Sequence, residues 1–168
     1  WGRAADGTGS VEAVTHESRR GLGIYGITPD GTTLVVRARN DKTGDDLLAA
    51  SIAKGEEKFV PLLQTPSMEM NAALSPDGKW LVYQSNESGR KEVFVRPFPN
   101  VEDGKWQIST QGGPFPTWAR SGRELFYVST NGDFMAVPVQ LVPAFAPGTP
   151  VRLFEWRYFT PLNFRTYA

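Results

Sequence analysis

The chain of 168 residues has no cysteine, a single histidine (His16) and no net charge, with 18 Lys and Arg against 18 Asp and Glu. Without cysteine there is no disulfide framework and no thiolate metal site, and that absence is compatible with cytoplasm or periplasm alike. Zero net charge and the lack of a basic stripe argue against a nucleic-acid partner. No apolar run approaches the roughly 18 residues of a membrane helix, so direct membrane insertion is not expected. The opening W-G-R-A-A-D-G lacks the regions of a signal peptide and starts with Trp1, which reads as a mature or excised segment. There is no G-x-S-x-G elbow, and His16 stands in a polar stretch beside Glu17, where it reads as a surface residue. Catalysis by this segment is therefore not expected, and no cofactor is called for.

What the chain does have is turns. Gly 17 and Pro 13 point to many of them, while 40% hydrophobic content excludes a disordered chain. The length suits one domain with a sizeable core. A motif recurs with decay: T-P-D-G-T-T-L-V-V from Thr28, S-P-D-G-K-W-L-V-Y from Ser75, and A-R-S-G-R-E-L-F-Y from Ala119. Its glycines, Gly31, Gly78 and Gly122, are 47 and 44 residues apart. In the first two copies proline presets φ at the first corner (Pro29, Pro76), aspartate bonds its own backbone (Asp30, Asp77), and glycine takes the left-handed position. Each copy is thus a hairpin turn, and each leads into a short continuous apolar run, the mark of a strand buried on both faces. A period near 45 with four strands per unit predicts an all-β partial propeller: about three four-stranded antiparallel blades with incomplete blades at both ends.

The expected boundaries are 1–15 for the end of a blade, 23–63, 68–110 and 115–154 for three blades, and 155–168 for the start of another. The first blade has strands over 23–28, 33–39, 47–52 and 58–63, with a polar loop at 40–46. The second has them over 70–74, 80–85, 92–96 and 106–109. In the third, Asn131-Gly132 between 126–129 and 134–139 is the strongest short hairpin signal. Pro138 must sit where its missing N–H faces no partner, or at a bulge.

The S-P-D-G-x-x-L-V-Y element followed by Val93-Phe94-Val95 resembles TolB-like propeller repeats, relatives of WD-repeat-like propellers. Such propellers occur in bacterial envelope proteins, in prolyl-oligopeptidase-type enzymes and in the extracytoplasmic C-terminal regions of some bacterial serine/threonine receptor kinases. The wording V-R-P-F-P from Val95, W-Q-I-S-T from Trp106 and the stretch 118–127 look most like the last group. The third copy departs from the pattern, with Arg120-Ser121 in place of Pro-Asp. The resemblance covers nearly the whole chain and implies a periplasmic or extracytoplasmic location. It also implies a non-catalytic module for protein–protein interaction or ligand sensing, with a protein, peptide or small-molecule partner. The alternative is the propeller portion of a larger hydrolase that gates a separate catalytic domain.

Several clusters have two readings. The acidic stretch 40–46 offers oxygen ligands for a hard cation, but Asp, Asn and Gly are also what a turn requires. Glu56-Glu57 and Glu102-Asp103 read as solvated bends. Trp80, Trp106, Phe115 and Trp118 form either a stacking surface or blade core, with Phe115, after Gly112-Gly113-Pro114, the one expected to be exposed. Arg37, Arg39, Arg90, Arg96 and Arg120 lie near strand ends and form either a basic ring at the channel mouth or pairs with Asp41, Asp45, Glu87 or Glu92. The loop-face binding candidates are these five arginines and Phe115. The aromatic tail (Trp156, Tyr158, Phe159, Phe164, Tyr167) enters a next blade, and two copies are expected to pair through their exposed blade ends.

Overall fold

A computed structural model of the chain describes residues 22–52 and 58–155. The expectations for 1–21, for Glu56-Glu57 and for 156–168, including His16 and the tail aromatics, lie outside the described residues. The rest forms three twisted antiparallel sheets. The first contains β1 (Gly23–Ile27), β2 (Thr33–Asn40), β3 (Gly44–Ser51) and β4 (Lys58–Leu63) in that spatial order. The second repeats the pattern with β5 (Glu69–Leu74), β6 (Trp80–Ser85), β7 (Glu92–Pro97) and β8 (Trp106–Gln107). In the third, β9 (Thr117–Trp118), β10 (Glu124–Val128) and β11 (Asp133–Gln140) are followed by two short strands on one edge. These are β12 (Ala146–Pro147) and β13 (Val151–Glu155), both paired with β11.

Continuous apolar runs arise because each blade is covered on both sides. On β6, Leu81 and Tyr83 point into one core with Val35, Leu47 and Leu63 of the first blade. Val82 points the other way, into a core with Leu125, Tyr127 and Val137 of the third. Burying one such side chain contributes about 1.5–3 kcal/mol, so the two seams hold the blades together. A third cluster, Leu34, Val36 and Ala38 with Leu48 and Ala50, lies on the far side of the first blade. Trp118 is buried in the second seam, and its indole N–H donates to the Ala73 carbonyl at 3.3 Å, tying β9 to β5. Trp80 and Trp106 are half-buried and meet edge to face, and Phe145 from the β11–β12 connection packs against both.

Two expectations are corrected. The polar loop over 40–46 is shorter, because β3 begins at Gly44 and carries Asp45 and Asp46 inside the sheet, both buried. Phe115 is buried rather than exposed (8%) and has φ +59°. The reason lies in the preceding glycines: Gly112 donates its N–H to Glu92, Gly113 to the Lys91 carbonyl, and the chain is drawn against the second blade. Pro138 sits as its chemistry requires. Val139 N–H donates to Arg123 toward β10, so Pro138 faces the opposite edge, in the gap between β13, which ends its pairing at Ala136, and β12, which begins at Val139.

Candidate functional site

The three repeated turns share one face of the propeller, and their hydrogen bonds explain the motif. Thr28 Oγ1 donates to Asp30 Oδ1, which also accepts from the Thr32 N–H at 3.1 Å, while Thr28 Oγ1 accepts from Thr33 N–H. Ser75 and Asp77 repeat this arrangement with Lys79 and Trp80. The Thr28 hydroxyl, then the Thr32 N–H, hold the Asp30 carboxyl below its ordinary value. In the third copy Ala119 has no hydroxyl and Ser121 alone accepts from Arg123 N–H, yet Gly122 still bonds the Ala119 carbonyl. Gly31, Gly78 and Gly122 have φ of +72°, +70° and +68°. Gly132 closes the Asn131 hairpin in the same way with φ +83°.

The turns also touch one another. A Cβ on Gly78 would lie 2.6 Å from Pro29 Cδ, and one on Gly122 would lie 3.7 Å from Pro76 Cδ. The prolines of the first two turns thus rest on the turn glycine of the following blade. Outward from this stack the first two blades diverge and enclose a groove of about 700 Å3. Its walls are Ser51, Lys58, Val60 and Leu62 on the first blade, and Phe98 and Asn100 on the second. Val60 is 44% exposed, an apolar contact open to solvent between Lys58 and the turn carboxylates. A second cavity of about 420 Å3 opens where β1, β5 and β9 converge, lined by Tyr25, Ile27, Pro76, Trp118 and Arg120.

Of the six binding candidates, Arg120 lines this second cavity. Arg37, Arg39 and Arg90 lie toward the opposite face; Arg37 pairs with Asp45 at 3.4 Å and Arg90 with Glu92 at 3.0 Å, while Arg39 is exposed. Arg96 is an internal fastener, donating to the Tyr83 hydroxyl at 3.0 Å and the Val101 carbonyl at 2.7 Å. Burial pushes Tyr83 up to about 12 against the opposing pull of Arg96. The arginines therefore do not gather into one ring, because successive strand ends alternate between the two faces. The groove residues were missed: Lys58 to Leu62 and Phe98 to Asn100 are far apart in sequence. The one local sign was an outer strand, K-F-V-P-L-L, with more apolar residues than one buried face needs.

No family model matches the chain, and no curated protein does. Among solved structures, TolB from Acinetobacter baumannii superposes with a TM-score of 0.62 at 15% identity over 90% of this chain and 36% of its own. A candidate TolB from Agrobacterium tumefaciens gives 0.61 at 17% identity, over 83% and 53%. The fold is that of a TolB-like propeller. A candidate 6-phosphogluconolactonase from Bacteroides uniformis follows at 0.55 and 17% identity, over 86% of this chain and 44% of that one. The chain thus spans about half, or less, of the length of the propellers it resembles.

Proposed function

We propose that this TolB-like segment is a non-catalytic binding module that takes an extended peptide or protein segment in the groove between its first two blades. The observation that carries this reading is the groove itself: an apolar contact at Val60 and Phe98, flanked by Lys58, Asn100 and the turn carboxylates, in a cleft of about 700 Å3. That volume falls in the range of ordinary ligand sites, and few convergent polar groups around an apolar floor is their usual composition. An extracytoplasmic location and a place in a receptor kinase or envelope protein belong to the same proposal, supported by the sequence resemblance. The alternative, a propeller that gates the catalytic domain of a larger hydrolase, would use the same face as an entrance.

The test is a selection of displayed random peptides on the wild-type chain, repeated on Val60→Arg. Val60 is exposed enough for the change to leave the fold intact. Enriched peptides that lose binding to Val60→Arg support the groove; peptides that bind both equally reject it. Homodimerisation through the blade ends completes the proposal, because Val151, Leu153 and Phe154 on β13 are each about half exposed. Light scattering on wild type and Leu153→Asp measures it, and a wild-type monomer at high concentration removes the pairing.

A further inference from the structure

A third cavity, of about 300 Å3, lies between the second and third blades and shares no residue with the groove. The repeated turns join the first strand of a blade to the second, whereas the Asn131-Gly132 hairpin joins the second to the third, so this cavity opens on the other face. One wall is the connection that leaves β8, and the other is β10 with its hairpin into β11. Thr130 Oγ1 donates to the Gln111 carbonyl at 2.8 Å and ties the two walls together. Ile108 and Met135 give the cavity an apolar side, while Gln111 and Asn131 are exposed residues of its lining. The side-chain amides of these two bond no described residue.

Tyr127 supplies the group that sets the cavity apart. It stands at the same place after Gly122 as Tyr83 after Gly78, and both rings are buried against the preceding blade. Their hydroxyls fare differently. That of Tyr83 accepts from Arg96 at 3.0 Å. Arg96 lies opposite Leu81 in the strand register, and Val137 lies opposite Leu125, so in the third blade a valine without a donor takes the arginine's place. The Tyr127 hydroxyl accordingly has no hydrogen-bond partner among the described residues. The unpartnered side-chain oxygens sealed from solvent there are those of Asp46 and Glu69, so the Tyr127 hydroxyl reaches open space, and the space this 5% exposed residue lines is the cavity. Burial, then the Glu92 charge, push Tyr127 above its ordinary value, which keeps the proton on the hydroxyl and lets it donate as well as accept. Among the described residues no lysine or arginine lines the cavity, and the carboxylate that does, Asp133, is paired with Arg152 at 2.6 Å. No free charge is left to select an ion.

We propose that this cavity binds a small neutral polyhydroxylated molecule of the monosaccharide class, with the Tyr127 hydroxyl bonded to one of its hydroxyls. The amides of Gln111 and Asn131, each able to donate and accept, take neighbouring hydroxyls, and Ile108 and Met135 receive the C–H face of the ring. The volume stands at the lower end of ordinary ligand sites, which suits one sugar ring rather than a chain. The site goes beyond the peptide groove and does not depend on it.

The probes are glucose, galactose and N-acetylglucosamine, each added to the chain and followed by titration calorimetry and backbone amide NMR. At least one is expected to bind with a Kd of about 1 mM and to displace the Gly112 and Asn131 amide resonances. Tyr127→Phe removes a single oxygen that bonds nothing else in the described chain. Its thermal midpoint is expected to stay within about 2 °C of wild type, while sugar affinity falls about tenfold. Val60→Arg, in the groove, leaves sugar binding unchanged. The proposal is overturned if none of the three sugars binds at about ten times that concentration. It is equally overturned if Tyr127→Phe binds as wild type does, if that variant loses its midpoint because the hydroxyl serves the fold, or if Val60→Arg abolishes the sugar signal.

Discussion

Asp46 and Glu92 occupy the same place in successive blades, at the start of the third strand, and each reaches a residue just past the outer strand. Glu92 is complete. It accepts from the Ser109 hydroxyl and from Gly112 N–H at 3.0 Å to both oxygens, and it forms an ion pair with Arg90 at 3.0 Å. Ser109 in turn accepts from Val93 N–H at 2.8 Å, so the carboxylate closes a circuit from the third strand to the connection into the next blade. The third blade has a simpler version, Asp133 with Arg152 at 2.6 Å. Asp46 has the outer-strand contact through Gln64, but among the described residues no cation or backbone N–H reaches its carboxylate. A repeated position thus fixes where a charge is placed without fixing how it is neutralised; that depends on what the following connection brings.

This contrast is open to direct attack. Glu92→Ala leaves Arg90, Ser109 and Gly112 without their common acceptor, and is expected to cost about 3–5 kcal/mol in urea unfolding. A loss below about 1 kcal/mol would mean the circuit is incidental. Gly112→Ala attacks the same circuit from its donor: φ is +86° and the new Cβ would lie 2.2 Å from Thr130 Cγ2. About 2–3 kcal/mol is expected, with the Glu92 bond displaced. Asp46→Asn is expected to stay within about 1 kcal/mol of wild type, since it removes a charge that the described residues do not neutralise. A loss as large as that of Glu92→Ala would erase the distinction. The smallest effect belongs to the exposed turn carboxylate. Because the folded state holds Asp30 below its ordinary 3.8, its contribution is present above that value and is lost as pH falls through the lower one. Asp30→Ala should therefore destabilise at pH 7 and make no difference well below pH 3.8, as read by thermal midpoints at the two pH values.

The turns and strands were legible because their causes are local. A left-handed glycine, a proline and an aspartate within four residues write the same hairpin wherever they occur, and even the decayed Arg120-Ser121-Gly122 copy keeps the backbone bond from Gly122 to Ala119. The split edge at β12 and β13 was not visible, since it depends on how the chain returns to β11 after Phe145. Phe115 misled because two glycines and a proline normally announce an exposed bend, whereas here the missing Cβ atoms allow close approach to Thr130 and Ser109. The groove and the fate of Asp46 arise between blades, from residues that share no sequence neighbourhood. Arg96 carried no local sign that its partners would be a buried phenol and a carbonyl.

Pro29 lying on Gly78 makes the axis-side contact a fulcrum. A ring seated against a bare α-carbon fixes the separation of two blades at that point and leaves their tilt to be set farther out. Val60 and Phe98 lie on the two walls of the groove outward of that contact, so a change of tilt about the turn stack would alter the width between them. Enlarging Gly78 would move the pivot itself, and the cleft would change its width without a single one of its own wall residues being altered.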